Sequence, residues 1–376
     1  MKIVLLITIF LITISCTSQE QKATVQLSVS PAVKQTKENS TIISTLKLFL
    51  ETKNSDPAKN IYWKQSDFNE FVYPYAAIAT IEKSKFGPDY YQPSLMEIIK
   101  TDDPLKKIVK IAYIGYNYET NENLIQCIYN VIANVEGDKI VFSSYTGYAA
   151  LSWKKLTRES ITYYVSPSRS FSNTDAEKQQ KDIEKLCAFF NSQPIPIRYF
   201  SCTNPIEVFN LKGFDYNTMM YASSTGGLAE EGNIIYSGNN SEYYTHEIVH
   251  IYTHSICPYI PKIIDEGLAT YLGGSGKFDY KWHKNELKKH IQNNKPDYTY
   301  LVENPFERLY INDETPIPYL IGALICEKGI TDLGSVGFLK ILREHPENAN
   351  TWDLLAKLGI TRENIEFELH KILDRK

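Results

Sequence analysis

Two histidines and a glutamate in the segment His246-Glu247-Ile248-Val249-His250 have the spacing of a metal site. On a helix, His246 and His250 lie on one face, one turn apart and about 6 Å along the axis. Two imidazoles at this spacing can bind one Zn²⁺ at about 2.0–2.1 Å each. Glu247 lies beside them, where its carboxylate can reach a water molecule near the metal rather than the metal itself. The segment therefore predicts a zinc site with a general base next to it.

The third zinc ligand decides the class of the site, and two of three candidates fail on position. His254 continues the four-residue spacing, but it lies about 12 Å along the axis from His246, so one ion cannot bind both. The metzincin pattern H-E-x-x-H-x-x-G-x-x-H needs glycine at 253 and histidine at 256. The chain has Thr253 and Ile256 there, so this pattern fails as well.

Glu266 is the third candidate. It lies in a second predicted helix, Pro261–Gly274, which follows a tight turn at Cys257–Pro261 and can therefore fold back against the first helix. Gly267, the next residue, permits a close approach of the two helices because it has no Cβ. This arrangement turns Glu266 toward the zinc and predicts it as the third ligand.

The two segments together resemble the gluzincin zinc peptidases of the peptidase MA-like group. The resemblance rests on His246-Glu247-x-x-His250, fourteen intervening residues, and the run Asp265–Tyr271 with the sequence D-E-G-L-A-T-Y. It implies a zinc cofactor held by the two histidines and Glu266, with Glu247 as general base. It also implies hydrolysis of peptide bonds in a peptide or protein substrate.

The resemblance covers about residues 160–376 and implies a small strand-containing subdomain, a zinc helix, a second ligand helix and a helical tail. In the family, an aromatic hydroxyl on the later helix helps to stabilise the transition state. Tyr319 matches that position, with Tyr310 and Tyr271 as rivals, because geometry and not sequence identifies such a donor. A second function stays open, that of a zinc-retaining binding or adhesion lipoprotein without turnover.

The sequence also predicts where the zinc helix begins and ends, and a strand that precedes it. Ser241 is a suitable N-cap, Glu242 suits the first turn, and Cys257-Pro258 ends the helix. The segment Gly232–Ser237 predicts a strand just before this helix. As an edge strand, it could add an extended peptide through main-chain hydrogen bonds.

The whole chain predicts an α+β protein with two folded regions, residues 41–157 and 158–376. In the first region, helices precede an antiparallel sheet, an order similar in shape to the small NTF2-like domains. The second region is mainly helical. The predicted elements are the helices Thr41–Lys53 (capped by Ser40), Ser66–Lys83 (broken at Pro74) and Asp175–Asn191, and the strands Lys107–Tyr116, Asn123–Val135, Lys139–Tyr148, Ile161–Val165 and Ile195–Phe200.

The first forty residues predict export. Residues 1–15 contain one lysine before a short apolar run, which is the layout of a secretory signal and too short to span a membrane. The run Thr13-Ile14-Ser15-Cys16 resembles a bacterial lipoprotein cleavage region, which implies Cys16 as the lipid-carrying residue. Residues 16–40 predict a flexible tether. We therefore expect a lipid-anchored protein on a bacterial outer membrane, facing the periplasm or the surface.

The composition limits the partners and the redox state. The chain has 40 basic and 44 acidic residues, and this net charge of −4 argues against nucleic-acid binding. The composition does not indicate the oligomeric state. Export permits disulfides, and the possible pairs are Cys187–Cys202 and Cys257–Cys326. The other histidines stand in Lys- and Glu-rich stretches and are predicted to be solvated: His283, His290, His345 and His370.

Overall fold

A computed structural model describes residues 25–55, 59–312 and 314–375. The predicted signal segment 1–15 and Cys16 lie outside these residues. Among the described helices, none is both long and apolar enough to cross a membrane. The described residues form an α+β structure, which confirms the predicted fold class, while the NTF2-like shape of the first region stays a prediction.

The first region is a sheet with a helix packed on one face. Its elements are β1 (Ser28–Val29), α1 (Lys37–Thr52), α2 (Gln65–Phe71), a 3₁₀ turn (Ala76–Ile78), β2 (Gln92–Lys100), β3 (Lys106–Asn117), β4 (Glu122–Glu136), β5 (Lys139–Ser143) and α3 (Tyr145–Ala149). The strand order is β1-β2-β3-β4-β5, antiparallel except for the β1–β2 pair. Ile42, Leu46 and Phe49 of α1 are fully buried and recur every three to four residues, so one face of this helix packs on the sheet.

Three predictions for this region are wrong. Helix α1 begins before Ser40, because Thr36 has extended backbone angles and its side chain accepts a hydrogen bond from the Asn39 backbone N–H at 3.1 Å. The tether ends earlier than residue 40, since Val33 is buried in the core. The helix predicted over Ser66–Lys83 is only the short α2 and the 3₁₀ turn.

The second region begins with a five-stranded sheet and continues with helices. Its elements are β6 (Lys154–Arg158), β7 (Ile161–Val165), α4 (Asn173–Phe190), β8 (Ile197–Ser201), α5 (Pro205–Leu211), β9 (Phe214–Asn217), β10 (Gly227–Glu230), β11 (Ile234–Ser237), α6 (Thr245–Ile256), α7 (Lys262–Gly273), α8 (Tyr280–His290), α9 (Tyr298–Glu303), β12 (Tyr310–Ile311), β13 (Thr315–Pro316), α10 (Ile317–Arg343, with non-helical backbone at Gly334), α11 (Thr351–Lys357) and α12 (Ile365–Leu373). The order of the sheet is β10-β11-β8-β7-β6. The strand β8 pairs in parallel with β7 and β11.

The two regions are joined by a shared strand. Although β9 follows β8 in the chain, it pairs with β4 in the first sheet. The Asn130 side chain on β4 donates hydrogen bonds to Gly213 O at 3.1 Å and to Asp215 Oδ1 at 2.9 Å. The predicted boundary between residues 157 and 158 stays a prediction, and it falls within β6.

Burial and thiol chemistry differ from the predictions. His283 is buried and hydrogen-bonds to Thr315 Oγ1 at 2.9 Å and Ser275 O at 2.8 Å. His345 is buried too, two residues after the end of α10, and its backbone N–H donates to Leu342 O at 3.1 Å. His290 and His370 are half-buried. Neither of the two possible disulfides forms in the described chain, whose cysteines are all free: Cys127, Cys187, Cys202, Cys257 and Cys326. Three of these thiols are engaged elsewhere: Cys257 with Leu342 O at 2.8 Å, Cys187 with the Tyr252 hydroxyl at 3.4 Å and Cys326 with Ile264 O at 3.7 Å.

Helices α7 and α10 cross with their backbones in contact. A Cβ added to Gly322 would lie 2.0 Å from Ile263 O, and one added to Gly267 would lie 2.2 Å from the Gly322 carbonyl carbon. These distances leave no room for a side chain at either position. The crossing fixes the distance between the second ligand helix and the helix that carries Tyr319.

We expect Gly322→Ala to destabilise the protein. A methyl group at this crossing must push the helices apart, and overpacking of this kind costs about 1–3 kcal/mol. The free energy of unfolding from denaturant titration measures the effect. The matched control is Gly147→Ala on α3, where an added Cβ meets nothing within 4 Å and stability should stay equal or rise. An unfolding midpoint for Gly322→Ala equal to that of wild type would contradict the close crossing.

Candidate metal centre

The zinc helix predicted from the histidine spacing is α6, but its start differs from the prediction. The helix begins at Thr245 with no side-chain N-cap. Ser241 does not cap it, because its hydroxyl donates to Asp175 Oδ2 at 2.6 Å, four residues before the helix begins. Glu242 is fully buried outside the first turn, where it forms an ion pair with Arg169.

The predicted ligands converge at one point. His246 Nε2 lies 3.2 Å from Glu266 Oε2, and His250 Nε2 lies 3.7 Å from the same oxygen. One ligand atom from each of the three residues lies within 4.8 Å of the others, and all three side chains are buried. Ligands at 2.0–2.1 Å from a tetrahedral zinc are about 3.3 Å apart, so these distances fit one ion.

The outer nitrogen of each histidine is held by an acceptor. His246 Nδ1 donates to Gly274 O at 2.7 Å, and His250 Nδ1 donates to Asp265 Oδ1 at 2.8 Å. With each Nδ1 as the donor, each Nε2 presents its lone pair to the common point, as metal-binding histidines do. Asp265 is a site residue that was not predicted from the sequence. Its position directly before the predicted third ligand is the feature of the sequence that could have identified it.

Charge also makes this point suitable for a cation. Burial alone would lower the pKa of His246, but the hydrogen bond that protonated Nε2 donates to Glu266 and the charges of Glu247 and Glu266 raise this pKa to about 9, so a metal ion would bind here in place of that proton. Burial likewise opposes ionisation of Glu266, yet the hydrogen bond to His246 and the positive charges around it lower its pKa to about 2. Lys262 Nζ lies 2.7 Å from Glu266 Oε1, which leaves Oε2 directed at the histidines. The donor set therefore fits a zinc ion.

The three ligands face an open cleft of about 390 Å³. Glu247, Tyr310, Tyr319 and residues of β10 line the same cleft. His254 lies at its margin, where Nε2 is 3.2 Å from Asp265 Oδ2. A second group of potential ligands, His250, His254 and Asp265, shares His250 through the nitrogen that faces away from the main cluster.

The candidate tyrosines have different surroundings. The Tyr319 ring stacks on His246 at a centroid distance of 6.1 Å. Burial and the nearby Glu266 raise its pKa well above the usual range, so its hydroxyl stays protonated. Tyr310 lines the cleft with an exposed side chain. Tyr271 instead packs against the ring of Tyr280 at 5.2 Å, outside the residues that line the cleft.

Tyr244 is a cleft residue that the sequence analysis missed. Its ring stacks on His246 at 6.2 Å, and burial and the nearby charge of Glu247 raise the pKa of its hydroxyl. Tyr244 lies two residues before the first predicted ligand, and no sequence pattern identifies it as a site residue. Only the folded chain places it against the predicted base.

The edge strand at the cleft is β10 and not the predicted segment 232–237. The strand β11, within that segment, lies inside the sheet between β8 and β10. The chain turns at Gly232 and Asn233, both with positive φ, so that β10 precedes β11 in an antiparallel hairpin and covers its edge. Gly227, Leu228 and Ala229 of β10 line the cleft.

No protein-family model matches this chain, and no curated protein matches it. Among solved structures, it is similar to an M1 zinc metallopeptidase from Deinococcus radiodurans at 10% identity and a TM-score of 0.28, covering 76% of this chain and 64% of that one. A variant of the enzyme from that organism, bound to a Tyr-Ser-Ala substrate, matches at 10% identity and a TM-score of 0.30, with 76% and 65% covered. A two-domain M1 zinc metallopeptidase bound to L-tryptophan matches at 10% identity and 0.28, with 77% and 66% covered.

This chain spans 64–66% of the length of those enzymes. At identities of 10% and TM-scores of 0.30 or below, the likeness carries no weight for function. The chemistry of this chain follows from its own residues.

Proposed function

We propose that this protein is a zinc-dependent peptidase. The observation that supports the proposal best is the convergence of His246, His250 and Glu266 on one point of an open cleft, with Glu247 on the same helix. A buried site that only stabilised the fold would have no need of an open face. Peptide or protein substrates fit the proposal because an edge strand with free main-chain groups runs along the cleft.

The residues of the cleft have separate tasks in this proposal. Zinc, when bound, supplies Lewis acidity that polarises the scissile carbonyl and acidifies water. Glu247 accepts the proton of the attacking water and passes it to the leaving amine. The strand β10 holds the substrate backbone extended, and the Tyr319 hydroxyl donates a hydrogen bond to the oxygen that gains negative charge.

The test of this function is a digest of a diverse peptide library with zinc-loaded protein. Cleavage that stops with a chelator and returns with added zinc would support the proposal. The alternative is a zinc-retaining binding or adhesion protein. It gains support if the protein holds one zinc per chain and captures a partner but cleaves nothing in the library.

We expect Tyr319→Phe to lower kcat by about 10²–10³-fold, the usual cost of losing one oxyanion donor. The loss should appear equally in kcat and kcat/KM, because the hydrogen bond forms only in the transition state. Steady-state kinetics on one library substrate measure it. Tyr271→Phe is the matched control and should cleave at the wild-type rate, since Tyr271 packs elsewhere. A normal kcat for Tyr319→Phe would move the role to Tyr310 or to no tyrosine.

Export and lipid anchoring through Cys16 belong to the same proposal and rest on the residue types of positions 1–16. A lipid-anchored peptidase would act on substrates in the cell envelope, on the periplasmic or the surface side. We expect a Cys16→Ala protein to leave the membrane fraction, with fractionation and immunoblotting as the measurement. A wild-type protein that is already fully soluble would contradict the anchor.

A further inference from the structure

A second cleft of about 880 Å³ adjoins the metal cleft. Its apolar wall consists of Ile263, Val302, Phe306 and Trp352, and Lys262 and Arg308 border it. We propose that this second cleft binds a large apolar side chain, above all an aromatic one, of an extended peptide substrate. The inference rests on the proposed function and assigns it a substrate preference.

The second cleft neighbours the metal cleft, through one shared lining residue and through one segment of the chain. Lys262, in the first turn of α7, lines both clefts, and its ammonium group bonds the predicted ligand Glu266. The segment 303–308 lines the second cleft, and Tyr310, two residues later, lines the first. A peptide that lies along the metal cleft can therefore place a side chain in the second cleft without leaving the surface.

Arg308, at the border of the second cleft, contacts the connection that leads to the metal cleft. Arg308 contacts the sulfur of Met219 through its guanidinium group. Met219 lies in the connection that leads to Ser223, Thr225 and the edge strand β10, which line the metal cleft. A substrate paired with β10 is thus close to the residues that border the second cleft.

Of the four residues in the apolar wall of the second cleft, Phe306 is exposed, whereas Ile263, Val302 and Trp352 are buried. The Phe306 side chain is 73% exposed, and an aromatic ring held in water loses the stabilisation that burial would provide. Trp352 is fixed, because Arg362 lies over its ring at 4.7 Å and its indole N–H donates to Glu303 at 3.0 Å. A fixed indole and an exposed phenyl ring in the lining of one cleft suit an apolar or aromatic side chain.

Most charged groups at this cleft already have partners inside the protein. Arg362 pairs with Glu303 at 2.8 Å, Lys262 bonds Glu266, and the Tyr300 hydroxyl donates to Glu307 at 2.8 Å. A charged substrate side chain would have to compete with these bonds, whereas an apolar one would not. The charges therefore favour an apolar occupant.

The test measures peptide binding rather than cleavage. Zinc-loaded protein with Glu247→Gln is titrated with fluorescent octapeptides of alanine in which one phenylalanine is moved through the eight positions. Burial of one large apolar side chain stabilises by about 1.5–3 kcal/mol, so at one position phenylalanine should tighten binding by about 10–100-fold. Adding Phe306→Ala should remove most of that gain.

The matched control is Phe367→Ala, since Phe367 is 68% exposed on α12 and lies outside both clefts. This variant should keep the full gain. Three results would each overturn the inference. The gain could persist in Phe306→Ala, or phenylalanine could give no gain at any position. Aspartate, moved through the same eight positions, could also tighten binding more than phenylalanine does. This test measures peptide binding without turnover. A library digest without cleavage would therefore contradict the proposed function, while the binding titration could still be interpreted.

Discussion

Replacing Glu247 with glutamine should slow peptide hydrolysis by about 10²–10⁴-fold, the range typical of a positioned acid–base group. Zinc content should stay near wild type, because Glu247 lies outside the cluster of three potential ligands. Glutamine keeps the size of the side chain but cannot accept the proton. Cleavage rates and elemental analysis on the same preparation measure both results.

Two further observations make this prediction specific. The Glu247→Gln variant should still bind library peptides, since the edge strand β10 is unchanged. The matched control is Glu231→Gln, the same substitution at an exposed glutamate just beyond β10, which should cleave as wild type does. If Glu247→Gln cleaves as fast as wild type, Glu247 is not the base and the mechanism above is wrong.

Glu266→Ala should remove tightly bound zinc and, with it, hydrolysis. This carboxylate lies 3.2 Å from His246 Nε2 and 3.7 Å from His250 Nε2, and the groups around it hold it ionised. Two imidazoles alone leave the ion with fewer protein ligands than a catalytic zinc site provides. Competition with a chromogenic chelator measures the loss of affinity.

A graded series tests the geometry behind this prediction. Asp265→Ala should weaken zinc binding by about 10–100-fold, the usual cost of losing an outer partner of a metal-binding histidine. The loss in Glu266→Ala should be larger. His254→Ala should change little, because His254 lies outside the cluster of three predicted ligands and its side chain is half exposed. Equal zinc affinity in Glu266→Ala and wild type would show that the third ligand lies elsewhere.

The spacing of the candidate site could be predicted because it is local. His246 and His250 face one direction on any α-helix, and the short turn before α7 brings Glu266 back within reach. The cap of α6 could not be predicted in the same way. Ser241 is a good cap by type, but Asp175, 66 residues away, binds its hydroxyl.

The sequence by itself determined the class of fold, which residues are the predicted ligands that converge, and the adjacent carboxylate, because these depend on residue type and on helix geometry over a few residues. Only the tertiary structure decided that β10 and not β11 is the edge strand, that Asp265 and Gly274 hold the outer nitrogens, and that His283 is buried. Strand order and burial depend on contacts between distant segments. Those contacts are selected by the packing of the whole chain, which no local pattern records.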